Sequence, residues 1–184
     1  MHQIHTARLN ASMPSSADLE ELFALCSDER LWAHRPSSRH QSPEQTKTMM
    51  DAWCNSWDEC GLGTWVIRAR EGEKLIGYGG CSLIGGSYWN LGYRFAVASQ
   101  GQGFATEIAR AAVERAREKL PAVPVAASIL EHNPASSAVA QKLGFTLAYR
   151  GLDEGNPDPK AIRLIYADRA LSFEQIAQIA APSH

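Results

Sequence analysis

Gln100-Gly101-Gln102-Gly103 is the stretch with the plainest chemical potential. It lies between a β-rich segment and a run of helical periodicity, so it reads as a glycine turn feeding a helix. Such a turn gathers N–H groups at the positive end of a helix dipole and holds phosphate oxygens without a basic side chain. Gly101 and Gly103 permit close backbone approach, and Ala105 and Thr106 leave the helix entry uncrowded. An ordinary tight turn that only starts a helix accounts for the same glycines. Two other phosphate-binding designs do not fit. Gly101-x-Gly103-x-x-Thr106 lacks the third glycine of the dinucleotide fingerprint, and the chain has no Gly-Lys-Ser/Thr of a nucleotide P-loop.

The elements that must position this turn follow from periodicity. Residues 3–10 read as a first strand, and Leu19, Leu22, Phe23 and Cys26 give a short helix over 17–27. A polar loop over 28–42 contains Trp32, His34, Arg35 and His40. Ser42-Pro43-Glu44-Gln45 opens a second helix with a capping box, ending at Gly61. Segments 63–70, 74–84 and 87–97 form an antiparallel meander joined by hairpin-like connections. After the glycine turn, Ala105, Ile108, Ala109, Ala112, Val113 and Ala116 make one helical stripe, with Glu107/Arg110 and Glu114/Arg117 as pairs on the wet side. A strand over 123–130 follows, then a helix capped by Asn133-Pro134 and stopped by Gly144. Strands over 145–151 and 161–168 come next. A last helix is capped by Ser172 and Gln175, with Leu171 and Ile176 as its staple. The order is βααβββαβαββα, with no repeat or linker, so one domain over 1–184 is expected.

Composition excludes several classes. The 45% hydrophobic and 21% charged content is ordinary for a globular chain, and a net charge of −2 argues against a nucleic-acid partner. No apolar run approaches the roughly 18 residues that span a bilayer. Met1 to Asn10 lacks a signal-peptide apolar stretch, so no membrane partner and a cytoplasmic location are expected. Cys26, Cys54, Cys60 and Cys81 form no C-x-x-C pair, and the histidines show no H-x-x-x-H, so no metal is expected.

Three elements together resemble a known family. Gln100-Gly101-Gln102-Gly103-Phe104-Ala105 matches the Q/R-x-x-G-x-G/A motif of the GNAT superfamily of acyl-CoA-dependent N-acyltransferases. Asn133-Pro134-Ala135-Ser136, followed by Lys142-Leu143-Gly144-Phe145, resembles the N-x-x-S…K-L-G-F signature of its RimJ/RimL-like branch. Leu91-Gly92-Tyr93 resembles the I-G-Y element of the same branch. The resemblance implies an α/β fold of the α+β type. This is a mixed, mostly antiparallel twisted sheet of about seven strands flanked by helices, split between the fourth and fifth strands. It implies acetyl-CoA as co-substrate, an amine acceptor, and a monomer or homodimer.

The resemblance also implies roles. The diphosphate is expected on the backbone of Gln100, Gly101, Gln102, Gly103, Phe104 and Ala105. The pantetheine arm is expected along Phe95, Ala96 and Val97, where a backbone N–H polarises the thioester carbonyl. Asn133 is expected to bind the pantetheine amides, and Ser136 to give a proton to the departing thiolate. Many family members carry a glutamate two residues before the Gly-Tyr pair, where this chain has Asn90, which takes no proton. Glu131, His132 or a water relay stand as substitutes. The acceptor site is expected between the 28–42 and 152–160 loops, shaped by Trp32, His34, Arg35 and His40. Trp53, Trp57, Trp65 and Trp89 are read as core or groove wall. A non-catalytic acyl-CoA-binding module is the competing reading, and Asn90 is its support.

Overall fold

Threonine and arginine at the N-terminus break the expected first strand in two. The computed structural model describes residues 2–33 and 35–181. In it, Thr6 and Leu9 exchange bonds through the Thr6 hydroxyl and both main chains, closing a turn between β1 (Gln3–His5) and β2 (Leu9–Ser12). The sheet therefore has eight strands where about seven were expected. β3 (Thr64–Ala69), β4 (Leu75–Ile84) and β5 (Tyr88–Phe95) form the antiparallel meander. β6 (Val125–Leu130), β7 (Thr146–Leu152) and β8 (Ile162–Ala167) complete the order β1-β2-β3-β4-β5-β6-β8-β7. Every pairing is antiparallel except β5 with β6.

Alternation along the strands feeds two faces. Ile67, Leu91 and Phe95 join the cluster under α3 (Phe104–Lys119), whose Ile108, Ala109, Ala112 and Ala116 are fully buried. α4 (Pro134–Lys142) adds Val139 and Ala140 to that cluster. Val66 and Tyr78 point the other way, toward α1 (Leu19–Ser27) and Met50 of α2 (Pro43–Cys60). α5 (Phe173–Ala180) covers the remainder of that face through Ile179, which packs on Ala126, Ile165 and Ala167. Trp57, Trp65 and Trp89 are core. Trp53 is half-buried against Tyr78.

Some local expectations hold and others fail for identifiable reasons. The Ser172–Gln175 capping box closes reciprocally at 3.1 and 2.9 Å. The box at α2 does not: Ser42 makes no side-chain cap, and Gln45 instead accepts from the Gln41 N–H at 2.6 Å. α2 ends at Gly61 in the left-handed region, φ 64°. The surface pairs expected on α3 are replaced by longer-range ones. Glu107 accepts from the Thr6 hydroxyl at 2.6 Å and from Arg8 Nε at 2.8 Å, and Arg117 bonds Asp168 at 3.1 Å. Desolvation pushes the Glu107 carboxyl up, but the Thr6 and Arg8 bonds outweigh it and hold it below the usual range.

Behind the sheet, Arg163 and Asp153 form an ion pair with side chains only 6% and 1% exposed. Arg163 Nη1 also donates to the Ile179 carbonyl at 2.7 Å, tying β8, the loop after β7 and the end of α5 together. Among the described residues, no helix is long and apolar enough to cross a membrane.

Candidate active site

β5 and β6 pair at only two positions, Trp89↔Val125 and Asn90↔Ala126, and then run apart. Trp89 N–H donates across to Pro124 O at 2.8 Å, while Ala96 N–H donates to Ile76 O on the β4 side at 2.9 Å. Strand alternation then aims the N–H groups of Leu91, Tyr93 and Phe95 into the divide. Of the three positions expected to polarise a carbonyl, Ala96 is thereby corrected, because its N–H is already committed. Phe95 is buried and aimed suitably; Val97 begins a 3₁₀ turn over Val97–Ser99 and is exposed.

That 3₁₀ turn carries the chain to the glycine turn at the start of α3. Gly101 and Gly103 have φ of 75° and 81°, a region open to glycine and costly to other residues. No side chain caps α3, so the first-turn N–H groups of Phe104, Ala105 and Thr106 have no intrahelical acceptor. Space lies in front of them. A Cβ on Gly101 would meet nothing within 4 Å, and one on Gly103 only Arg8 Nη2 at 3.4 Å. The two glutamine side chains brace the turn from behind: Gln100 Nε2 donates to Phe95 O at 3.1 Å, and Gln102 Nε2 to Ala98 O at 2.9 Å.

Arg8 is a participant that sequence reasoning missed. Its Nη1 donates to Gln102 O at 2.8 Å, its guanidinium lies 4.8 Å over the Phe104 ring, and it is ion-paired to Glu107. A cation 94 residues away in sequence thus buttresses the turn.

Across the divide, Asn133 caps α4 by accepting the Ser136 N–H on Oδ1 at 3.2 Å, leaving Nδ2 as a donor. Ser136 is half-buried in the first helical turn. The Tyr93 hydroxyl donates to the Ser136 carbonyl at 3.4 Å, and burial pushes that phenol up to about 12. Tyr93, a motif residue in the sequence, brings a second protonated hydroxyl to the same place. The neighbouring Ser137 Oγ is buried without a hydrogen-bond partner.

The carboxylate expected as a substitute base is already paired. Glu131 is exposed and held bidentately by Arg150 at 2.7 and 3.0 Å, and those bonds draw its carboxyl below the usual range. Each oxygen of this carboxylate gives one lone pair to arginine. His132 lies beside it, exposed, in the turn between β6 and α4.

The 28–42 loop folds as two 3₁₀ turns, Glu29–Leu31 and Pro36–Ser38, around a buried Trp32. Trp32 Nε1 donates to Cys26 O at 2.6 Å, and the His40 ring stacks on it at 6.3 Å. His40 Nδ1 lies 2.7 Å from the Thr46 hydroxyl. Burial, and then the Arg94 charge, draw its pKa down. Arg35 is half-buried; His34 lies outside the described residues. A depression of about 430 Å³ opens here, lined by Glu29, Trp32, Ala33, Pro36, Arg39 and Gln41. Among the described residues, no three His, Cys, Asp or Glu side chains gather as metal ligands.

Comparison with known proteins bears on this arrangement. The family model for the acetyltransferase (GNAT) domain matches residues 8–146. An uncharacterized N-acetyltransferase of Bacillus subtilis, YoaA, is 24% identical over 144 residues, covering 77% of this chain and 81% of that protein. A GnaT-family acetyltransferase from Bordetella pertussis superposes with a TM-score of 0.77 at 20% identity, over 92% of this chain and all of the other. RimL, a ribosomal L7/L12 alpha-N-protein acetyltransferase solved with coenzyme A, gives 0.75 at 17% identity, over 92% and 98% of the two chains.

Proposed function

The chain belongs to the acetyltransferase (GNAT) family, whose members are acetyl-CoA-dependent N-acetyltransferases, and on that premise we propose that it acetylates a primary amine, of a protein N-terminus or a small molecule, by direct attack in a ternary complex. One observation carries the reading: an uncapped helix start with open space before Gly101 and Gly103, set beside strands that part after two residue pairs. The turn suits a diphosphate and the divide suits an extended amide-bearing arm.

Acetyl-CoA supplies an activated thioester. The residues supply the rest. The N–H groups of residues 101–105 hold the diphosphate, with Arg8 keeping the turn in shape. Asn133 Nδ2 donates to the pantetheine. The Phe95 N–H stabilises negative charge on the carbonyl oxygen as the neutral amine attacks. Ser136 gives a proton to the departing thiolate, and the amine releases its own to water or His132. An α-amino acceptor suits this site, because its reference pKa near 8 leaves far more neutral amine than a lysine near 10.4.

The experiment is a thermal shift with coenzyme A and acetyl-CoA, followed by thiol release in the presence of an amine panel. Either ligand at 100 times its dissociation constant should stabilise the fold by about 2.7 kcal/mol, or roughly 5–10 °C for a chain of this size. No shift at millimolar coenzyme A would overturn the cofactor site. Binding without turnover on any amine would favour the non-catalytic reading, which Asn90 and the pairing of Glu131 with Arg150 support.

The turn has its own test. Gly103→Val should weaken coenzyme A at least tenfold, because a branched residue is strained at φ 81° and its side chain fills the space in front of the helix. Unchanged affinity in a folded variant, checked by circular dichroism, would make the turn structural only.

A further inference from the structure

We infer that the acceptor amine carries a carboxylate a few bonds away, received by Arg94 on the face of β5 that looks toward α1 and α2; this deepens the acetyl-transfer reading and rests on it. Arg94 is half-buried, and its contacts fix it in a plane. Its Cζ lies 3.6 Å from the centroid of the Trp32 ring, Nη1 donates to Leu31 O at 2.6 Å, and Nε donates to the Tyr78 hydroxyl at 3.2 Å. All of these partners are neutral. Arg8, Arg68, Arg117, Arg150 and Arg163 each hold a carboxylate, whereas no carboxylate among the described residues pairs with Arg94. Its Nη2 bonds to nothing in the described chain and is not among the buried partnerless atoms, so it reaches solvent.

A second arginine, without a carboxylate partner among the described residues, stands in the same loop as Trp32. Arg35 is linked to the same tryptophan through its N–H to Trp32 O at 2.9 Å, and its Nε is buried with no hydrogen-bond partner. Partly desolvated cations without a counter-charge are costly, and an incoming anion relieves that cost. A guanidinium held flat against an indole is also pre-organised to meet a carboxylate with parallel N–H groups.

Register locates the anion relative to the chemistry. Tyr78↔Arg94, Gly80↔Gly92 and Ser82↔Asn90 stack along one face. A Cβ on Gly92 would meet nothing within 4 Å, so this face is open between Arg94 and the divide. Arg94 directly precedes Phe95, whose N–H is proposed to receive the thioester carbonyl, and their Cα atoms are about 3.8 Å apart. Amine and carboxylate therefore fit within one small, amino-acid-like acceptor.

The test compares amino acids with their own carboxamides at saturating acetyl-CoA, following thiol release. The wild-type protein should show kcat/KM about tenfold or more higher for the acids, chiefly through KM. The carboxamides have the more easily deprotonated amine, so this preference opposes intrinsic reactivity. Arg94→Gln should collapse the acid-to-amide ratio about tenfold, and Arg94→Lys should retain part of it. Equal use of acids and amides by the wild type overturns the proposal while leaving acetyl transfer to amines intact. So does an Arg94→Gln variant that slows both series alike, which would make Arg94 a clamp for the Trp32 loop only. Failure to acetylate any amine, with coenzyme A still bound, sinks the acetyl-transfer reading itself and this inference with it. Should Arg94→Gln not fold, glutarate should compete with the acceptor amine in the wild type and glutaramide should not; equal behaviour of the two overturns the proposal.

Discussion

Ser136→Ala is expected to lower kcat by about 10²-fold or more while acetyl-CoA affinity stays within a few-fold, as general acid catalysis typically contributes 10²–10⁴. The substitution is clean in this setting. The bond that caps α4 runs from the Ser136 main-chain N–H to Asn133 Oδ1, and alanine keeps that N–H. Asn133→Ala behaves differently: it removes the cap, costs about 1 kcal/mol of stability, and should raise KM for acetyl-CoA. Single-turnover acetyl transfer, measured well below each melting point, separates the two. Full kcat in Ser136→Ala would move the proton to Tyr93, whose hydroxyl reaches the same turn and stays protonated with a pKa pushed up to about 12.

Asp153→Ala should destabilise the fold by about 3–5 kcal/mol, because it leaves the Arg163 guanidinium buried without its counter-charge. At 2–4 °C per kcal/mol for this chain length, the melting temperature should fall by roughly 6–20 °C. Substituting both partners with apolar residues should recover much of the loss, since the desolvation penalty disappears with the charges. A melting temperature within about 2 °C of wild type for Asp153→Ala would show that the pair carries little of the stability. The effect should extend to α5, because Arg163 also holds the Ile179 carbonyl.

The difference between what was legible and what was not follows sequence distance. The α3 entry is readable because glycines at 101 and 103 meet a positive-φ demand that few residues satisfy, and the buried stripe repeats every turn. Asn133-Pro134 and Ser172–Gln175 are readable because capping is settled within four residues. The turn at Thr6 carries no glycine or proline, so nothing in composition divides β1 from β2; the Thr6 hydroxyl does so, with Glu107 drawing on it from 101 residues away. Glu107 itself looked like half of a local pair, but its true partners belong to the N-terminal turn. Arg94 against Trp32 depends on the β4–β5 register and on how the 28–42 loop folds back, neither of which any local pattern specifies. The same holds for Glu131, whose pairing with Arg150 on a later strand no local pattern specifies.

A sheet that separates after two residue pairs has four edges instead of two. The outer pair is blunted in familiar ways: β1 is three residues long, and β7 carries a register shift between Leu147 and Tyr149. Short or irregular edges make poor templates for another chain. The inner edge of β5 has no such protection. From Leu91 to Phe95 it holds no proline and no lysine, and its free N–H groups form a regular row of the kind that seeds association between chains. Nor can that row be blunted by substitution. A proline at 91, 93 or 95 would delete a donor of the proposed cofactor cleft, and a bulge would re-aim the others. Resistance to aggregation at these inner edges therefore falls to their surroundings: the pairs Trp89↔Val125 and Asn90↔Ala126 pin the two edges together at one end, and helices pack on either face.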